Sequence, residues 1–211
     1  LIFVFDVLDS GRRLARERAK QIQAELSRGR MTQPPQCKWS LEPGMAYASF
    51  LSHYKVEAGS DARYLSDFMR RMSGAPSYLD SNNLVDLRAL FTEGVHKSEV
   101  VVLLATKLVL TRPWCILELW ETHQRKIPLI LFPVTGKGWT DEWAIEYIND
   151  IETQLEGYTP GALGAVKDHL LEQGVTDIGA LKTALLEVLG LAEGMNPVPR
   201  LEWQPWGLLA R

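Results

Sequence analysis

Glu99-Val100-Val101-Val102-Leu103-Leu104-Ala105-Thr106, followed shortly by Arg112-Pro113-Trp114-Cys115-Ile116-Leu117-Glu118-Leu119, decides the fold. The first stretch is a continuous apolar run without polar alternation, which is how a strand covered on both faces of a parallel sheet reads. In the second, Pro113 lacks an N–H and has its φ preset, so it suits the first position of a helix. Counted from there, Trp114 and Glu118 stand four apart and share a helix face. A doubly covered strand leading into a helix is one unit of an α/β sheet.

The flanking sequence supplies more units. Met45-Ala46-Tyr47-Ala48-Ser49-Phe50-Leu51 reads as another strand buried on both sides, leading into a polar loop from Ser52 to Glu57. Ala62, Leu65, Phe68, Met69 and Met72 recur at helical spacing and stop at Ser73-Gly74. Ser77 to Asp80 forms a short strand, Ser81-Asn82-Asn83 a turn, and Leu84, Leu87, Leu90, Phe91 and Val95 a second helix. Ile127 to Val134 is a fourth strand, which Pro128 and Pro133 place near an edge. Trp143 to Leu155, Leu163 to Leu171 and Ile178 to Leu189 read as helices, and a fifth strand is not evident. The alternation predicts an α/β fold: a doubly wound parallel sheet of four or five strands with flanking helices. Such sheets bind ligands at the carboxyl ends of their strands, here Ser52–Lys55, Asp80–Asn83 and Thr106–Trp114.

Outside this block lie a basic helical flank and linker, residues 1–42, and a tail, residues 191–211, with Trp203 and Trp206 between prolines; the domain itself is expected over 43–190. Arg12, Arg13, Arg16, Arg18 and Lys20 crowd a flank with only a thin apolar stripe. It reads as a solvated surface helix or, alternatively, as a juxtamembrane segment meeting anionic lipid. The chain lacks an initiator Met and is read as an excerpt of a longer one. No run of about 18 apolar residues is present, so a membrane enters only through a part preceding Leu1, which would place the domain on the cytoplasmic face. Cys37 and Cys115 have no metal or CxxC spacing and point to a reducing, cytoplasmic setting.

With 211 residues, a net charge of -3 and a pI near 5.9, the chain has no overall basic field, so nucleic acid is not an expected partner. It also lacks GxGxxG and GxxxxGK[ST], and Ser49, Ser52 and Ser81 have no GxSxG surroundings. Those absences argue against a Rossmann nucleotide site, a P-loop and a hydrolase triad. Trp114 and Glu118 leave two roles open. The ring beside the carboxylate holds a flat heterocycle and stabilises a developing positive charge, or Trp114 anchors the helix while Glu118 is solvated near the positive helix end. Asp80 reads as a turn cap; a receiver-type phosphorylated aspartate needs further acids after the first strand, and Ser52-His53-Tyr54 supplies none. His53 serves as a proton shuttle or a surface hydrogen-bonding residue. Cys115 reads as core, and Glu121 with Arg125 as an exposed helix pair.

Four blocks taken together, SFLSHYKVEAGSDAR (49–63), YLDSNNL (78–84), GVHKSEVVVLLATK (94–107) and RPWCILEL (112–119), resemble the Toll/interleukin-1 receptor (TIR) domain, in its plant and bacterial-like branch. The resemblance covers roughly residues 44–135. It implies a flavodoxin-like sheet that self-associates through TIR–TIR contacts, also with other TIR domains, in innate-immunity-like signalling. In many members it further implies hydrolysis of the nicotinamide–ribose bond of NAD, with NAD as substrate, no cofactor and no metal. The family's catalytic glutamate four residues after a Trp carries over to Glu118, with Trp114 beside the substrate. Loop positions carry over to His53, Tyr54 and Lys55 after the first strand, and to Asp80, Ser81 and Asn82 after the second. Two departures stand out: Asn82, Asn83, Val85 and Asp86 occupy a loop that usually carries Gly or Pro, and His53-Tyr54-Lys55 replaces the arginines of several active members. A nicotinamide that is already cationic in NAD needs no strong acid to leave, so one carboxylate suffices to stabilise the oxocarbenium-like centre. The alternative the resemblance allows is a TIR module that signals only by docking.

Overall fold

The computed structural model describes residues 39–79 and 90–201. The described residues all fall within one compact unit, Lys38–Arg211. Its strands are β1 (Ser49–Ser52), β2 (Ser77–Tyr78), β3 (Val101–Ala105) and β4 (Leu129–Pro133). Its helices are α1 (Lys55–Ser73), α2 (Pro113–Gln124), α3 (Asp141–Asn149), α4 (Ile151–Tyr158), α5 (Ala162–Glu172) and α6 (Ile178–Val188).

Every residue of β3 is buried, and β3 lies inside a parallel sheet of order β2-β1-β3-β4. This is the predicted α/β, flavodoxin-like arrangement. Successive strand residues point to opposite faces, and the sheet accordingly separates two apolar cores. Phe50, Val101, Leu103, Ala105, Leu129 and Leu131 enter one; Leu51, Val102, Leu104 and Phe132 enter the other. α1 covers the second core with Ala58, Ala62 and Leu65, whereas α2, α5 and α6 contribute to the first. Truncating Leu103, fully buried at the centre, to Ala would cost about 2–5 kcal/mol.

β2 is only two residues long, and an aromatic pair ties it down: Phe50 of β1 stacks on its register partner Tyr78 at 5.4 Å. A Cβ on Gly94 would fall 2.9 Å from the Phe50 ring and 3.0 Å from that of Tyr78, so a glycine there permits the approach. Gly94 closes a π-helical turn, Leu90–Gly94, which passes into the 3-10 turn Val95–Lys97. The predicted second helix reaches back through Leu84 and Leu87 and the predicted second strand ends at Asp80; those positions lie outside the described residues, as do Trp203 and Trp206.

Three readings are corrected. The loop expected from Ser52 to Glu57 is shorter, because the Tyr54 carbonyl accepts from the N–H groups of Glu57 and Ala58 and starts α1 at Lys55. The polar residues there belong to a helix face. Phe68 and Met72 do not face the core: both are 42% exposed, and small Ala58 and Ala62 bring the helix onto the sheet instead. The helix predicted from Trp143 to Leu155 breaks at Asp150, whose backbone is not helical, into α3 and α4. The described sheet has four strands, and the tail adds only an isolated bridge to β4. Leu131 donates its N–H to the Pro199 carbonyl at 2.9 Å and accepts from Leu201 N–H at 3.1 Å, a parallel bridge on the outer edge of β4. Pro197 and Pro199 have no N–H with which to extend a ladder. Gly190, at φ +66, admits the strap: a Cβ there would lie 2.6 Å from Val198 N. Among the described residues, no helix is long and apolar enough to cross a membrane.

Candidate functional site

α2 begins as its sequence dictates, with Arg112 extended and Pro113 in the first turn, and every residue from Cys115 to Thr122 is buried. A helix that sinks this deep must satisfy its polar side chains internally, since an unbonded buried polar group costs several kcal/mol. Three residues pose the problem: Glu118, Glu121 and Thr122. Thr122 donates its hydroxyl to the Glu118 carbonyl at 2.6 Å.

Glu118 is 5% exposed and accepts a 2.5 Å hydrogen bond on Oε2 from the hydroxyl of Ser52. Ser52 ends β1 on the same side as Phe50, the side on which α2 packs. The bond is at the short end for an O–H···O contact. It brings the carboxylate to the carboxyl edge of the sheet.

Further contacts hold the segment after β1 against the segment before α2. Cys115 Sγ donates to the His53 carbonyl at 3.5 Å, the Arg112 guanidinium lies 4.8 Å from the centre of the Tyr54 ring, and Leu108 N–H donates to the Glu57 carboxylate at 3.0 Å. His53 Nδ1 lies 3.0 Å from the Leu51 carbonyl, which places a proton on that nitrogen. Arg112 also donates to Thr159 Oγ1 at 3.4 Å. Lys55 is exposed on the first turn of α1.

The structure thus brings Glu118, His53 and Tyr54 into one region through Ser52, Cys115 and Arg112. Asp80, Ser81 and Asn82 lie outside the described residues. Trp114 is 36% exposed, so it does not anchor α2; the buried Cys115, Ile116, Leu119 and Trp120 do that. The solvated alternative for Glu118 is overturned by its burial. Cys115 is core, 4% exposed, as its residue type suggested.

Glu121 is a second correction on this helix. It is not an exposed partner of Arg125 but is 5% exposed and bonded across two seams. His96 Nε2 lies 2.7 Å from one carboxylate oxygen; His169 Nε2, at 3.1 Å, and Gln173 Nε2 meet the other. Trp120 Nε1 donates to Gln173 Oε1 at 2.7 Å, which fixes the amide with its NH₂ toward Glu121. The 3.0 Å approach of Gln173 Nε2 to His169 Nε2 is then a contact of two donors, not a bond. Burial alone would raise the Glu121 pKa, but the hydrogen bonds from His169, His96 and Gln173 outweigh it and hold the carboxyl at about 2. Both imidazoles spend Nε2–H on the carboxylate, and among the described residues no group of three His, Cys, Asp or Glu could hold a metal ion.

Two concavities lie away from Glu118. One, about 220 Å³, is lined by Trp143, Glu146, Tyr147 and Gln154; the other, about 180 Å³, lies where α5 turns toward α6, beside Leu171 and Val175. Tyr147 is buried and its hydroxyl has no partner among the described residues. Burial pushes its pKa up.

Sequence reasoning put Ser52 and Arg112 inside the strand-end segments expected to bind ligand but gave neither a role, and it missed Glu57. The signal for Ser52 was present, because it shares strand parity with core-facing Phe50. No signal pointed to His96, His169 and Gln173 around Glu121, which come from distant segments. No protein-family model matches the chain, and no curated protein matches it.

Proposed function

We propose that this chain is a TIR-type domain that hydrolyses the nicotinamide–ribose bond of NAD when it self-associates. The observation that carries the reading is the Ser52–Glu118 hydrogen bond, which holds a carboxylate at the sheet edge where doubly wound folds bind ligands. The four sequence blocks quoted above support the same choice.

In this mechanism the C1′–N bond breaks and its electron pair leaves with nicotinamide, which departs as a neutral base. Positive charge develops on the ribose, and Glu118 stabilises it from a site with little competing water. Water then adds at C1′ and loses a proton, giving ADP-ribose; attack by a nucleophile of the substrate itself gives a cyclic product. Tyr54, His53 and Lys55 line the approach, and exposed Trp114 offers a ring face to the substrate.

The test is nicotinamide release from NAD by concentrated protein, crowded or tethered to a surface, conditions that favour the self-association this reading requires. Turnover that rises with protein concentration supports the proposal. NAD left intact under those conditions selects the second reading, a TIR interaction module that signals by docking alone, which the same four blocks support.

A further inference from the structure

Taking Glu118 as the reacting carboxylate, on which this inference rests, we propose that Ser52 is a positioning residue whose hydroxyl fixes that carboxylate at the edge of the sheet.

β1 is buried at every residue, and an apolar side chain would serve packing at its last position. Ser52 is instead a hydroxyl at 1% exposure, which is costly unless bonded, and it donates to Glu118 at 2.5 Å. The other serine of the strand behaves differently. Ser49 points to the opposite face and donates to Ser77 Oγ at 2.9 Å, a neutral link between β1 and β2. Ser52 thus joins a strand to an acid on a helix, not strand to strand.

The two partners differ in freedom. Ser52 has one rotatable side-chain bond and sits in the ladder opposite Leu103. Glu118 has three such bonds, and each must be frozen before the carboxylate can meet a developing charge. An anchor on a rigid strand supplies that order before substrate arrives. A hydrogen bond to the charged form also favours ionisation, which the oxocarbenium-like centre requires.

The experiment measures nicotinamide release against pH for assembled wild-type protein and for Ser52→Ala, Ser52→Thr, Ser52→Cys and Glu118→Gln. For Ser52→Ala, kcat falls about tenfold to a hundredfold, the value of one charge-assisted hydrogen bond, with KM for NAD nearly unchanged. The acid limb of its kcat/KM profile moves up by about one pH unit. Ser52→Thr, which keeps the hydroxyl, restores the limb, and Ser52→Cys, a weaker donor of similar size, lies between. Should the alanine variant not fold, the Thr and Cys profiles decide the matter alone.

Acid limbs that coincide across the folded Ser52 variants overturn the proposal, because a packing role would lower activity without moving the limb. Loss confined to KM does so too. If Glu118→Gln is silent while Ser52→Ala keeps the wild-type limb, only the role of Ser52 falls. If Glu118→Gln turns over NAD like the wild type, or wild-type protein turns over none, the functional reading falls and takes this inference with it.

Discussion

Glu118 and Glu121 lie within one turn of the same helix and are equally buried at 5%, yet their partners differ in kind. Glu121 faces the seams between α2, the turn Val95–Lys97 and α5, where two imidazoles and an amide occupy both of its oxygens. Glu118 faces the end of a strand and takes a serine hydroxyl. Burial of a carboxylate does not mark a reactive group. What separates the two is the chemistry of the donors and the place in the fold: a helix seam for one, the carboxyl edge of the parallel sheet for the other.

The largest expected effect separates them by activity. Glu118→Ala lowers nicotinamide release by at least about 100-fold, the scale of losing a group that stabilises transition-state charge, while sedimentation shows self-association unchanged. The reverse holds for Glu121→Ala. Breaking a buried, fully bonded carboxylate costs about 3 kcal/mol and lowers Tm by about 6–12 °C in thermal melts, while turnover per folded molecule stays at the wild-type level. If Glu121→Ala instead abolished turnover in folded protein, the division of labour would be wrong.

A pH series sharpens the same contrast. Glu121 is held at about 2 in the folded chain against an ordinary 4.5, so its contribution is complete above pH about 4.5 and is lost as pH falls toward 2. Denaturant titrations should therefore show wild-type stability falling more steeply than that of Glu121→Gln across that window, by about 3 kcal/mol in total. The smallest effect belongs to Glu187, which meets His123 at 2.8 Å with 41% of its side chain exposed. Glu187→Gln costs about 0.5 kcal/mol in the same titrations, the scale of a half-exposed side-chain contact.

Much of this architecture is legible in the chain. The apolar run at Val101–Ala105 has a single parallel-sheet interpretation, and Pro113 marks where the next helix starts. Local pattern also indicated an edge position for β4, through Pro128 and Pro133. It failed where the deciding partner is remote. Phe68 and Met72 have core-like side chains at helical spacing, but Ala58 and Ala62, one turn or more upstream, determine which face of α1 meets the sheet. Glu121 and Arg125 satisfy the spacing rule for an exposed pair, yet His96, His169 and Gln173 arrive from other elements and claim the carboxylate. No fifth strand was legible, and the described tail makes only an isolated bridge from Arg200 to Leu131 of β4, preceded by prolines. At the site, spacing to Trp114 left Glu118 between two roles and only the four-block resemblance singled it out, whereas the Ser52 contact required knowing that β1 ends opposite α2.

The most direct test of the central claim compares wild-type protein with Glu118→Gln, both concentrated on a tethering surface, for nicotinamide released from NAD. Glutamine keeps the size of the side chain and still accepts from Ser52, so the fold is preserved and only the charge is removed. The account predicts concentration-dependent release by the wild type and at least about 100-fold less by the variant. Equal release by the two proteins would contradict it.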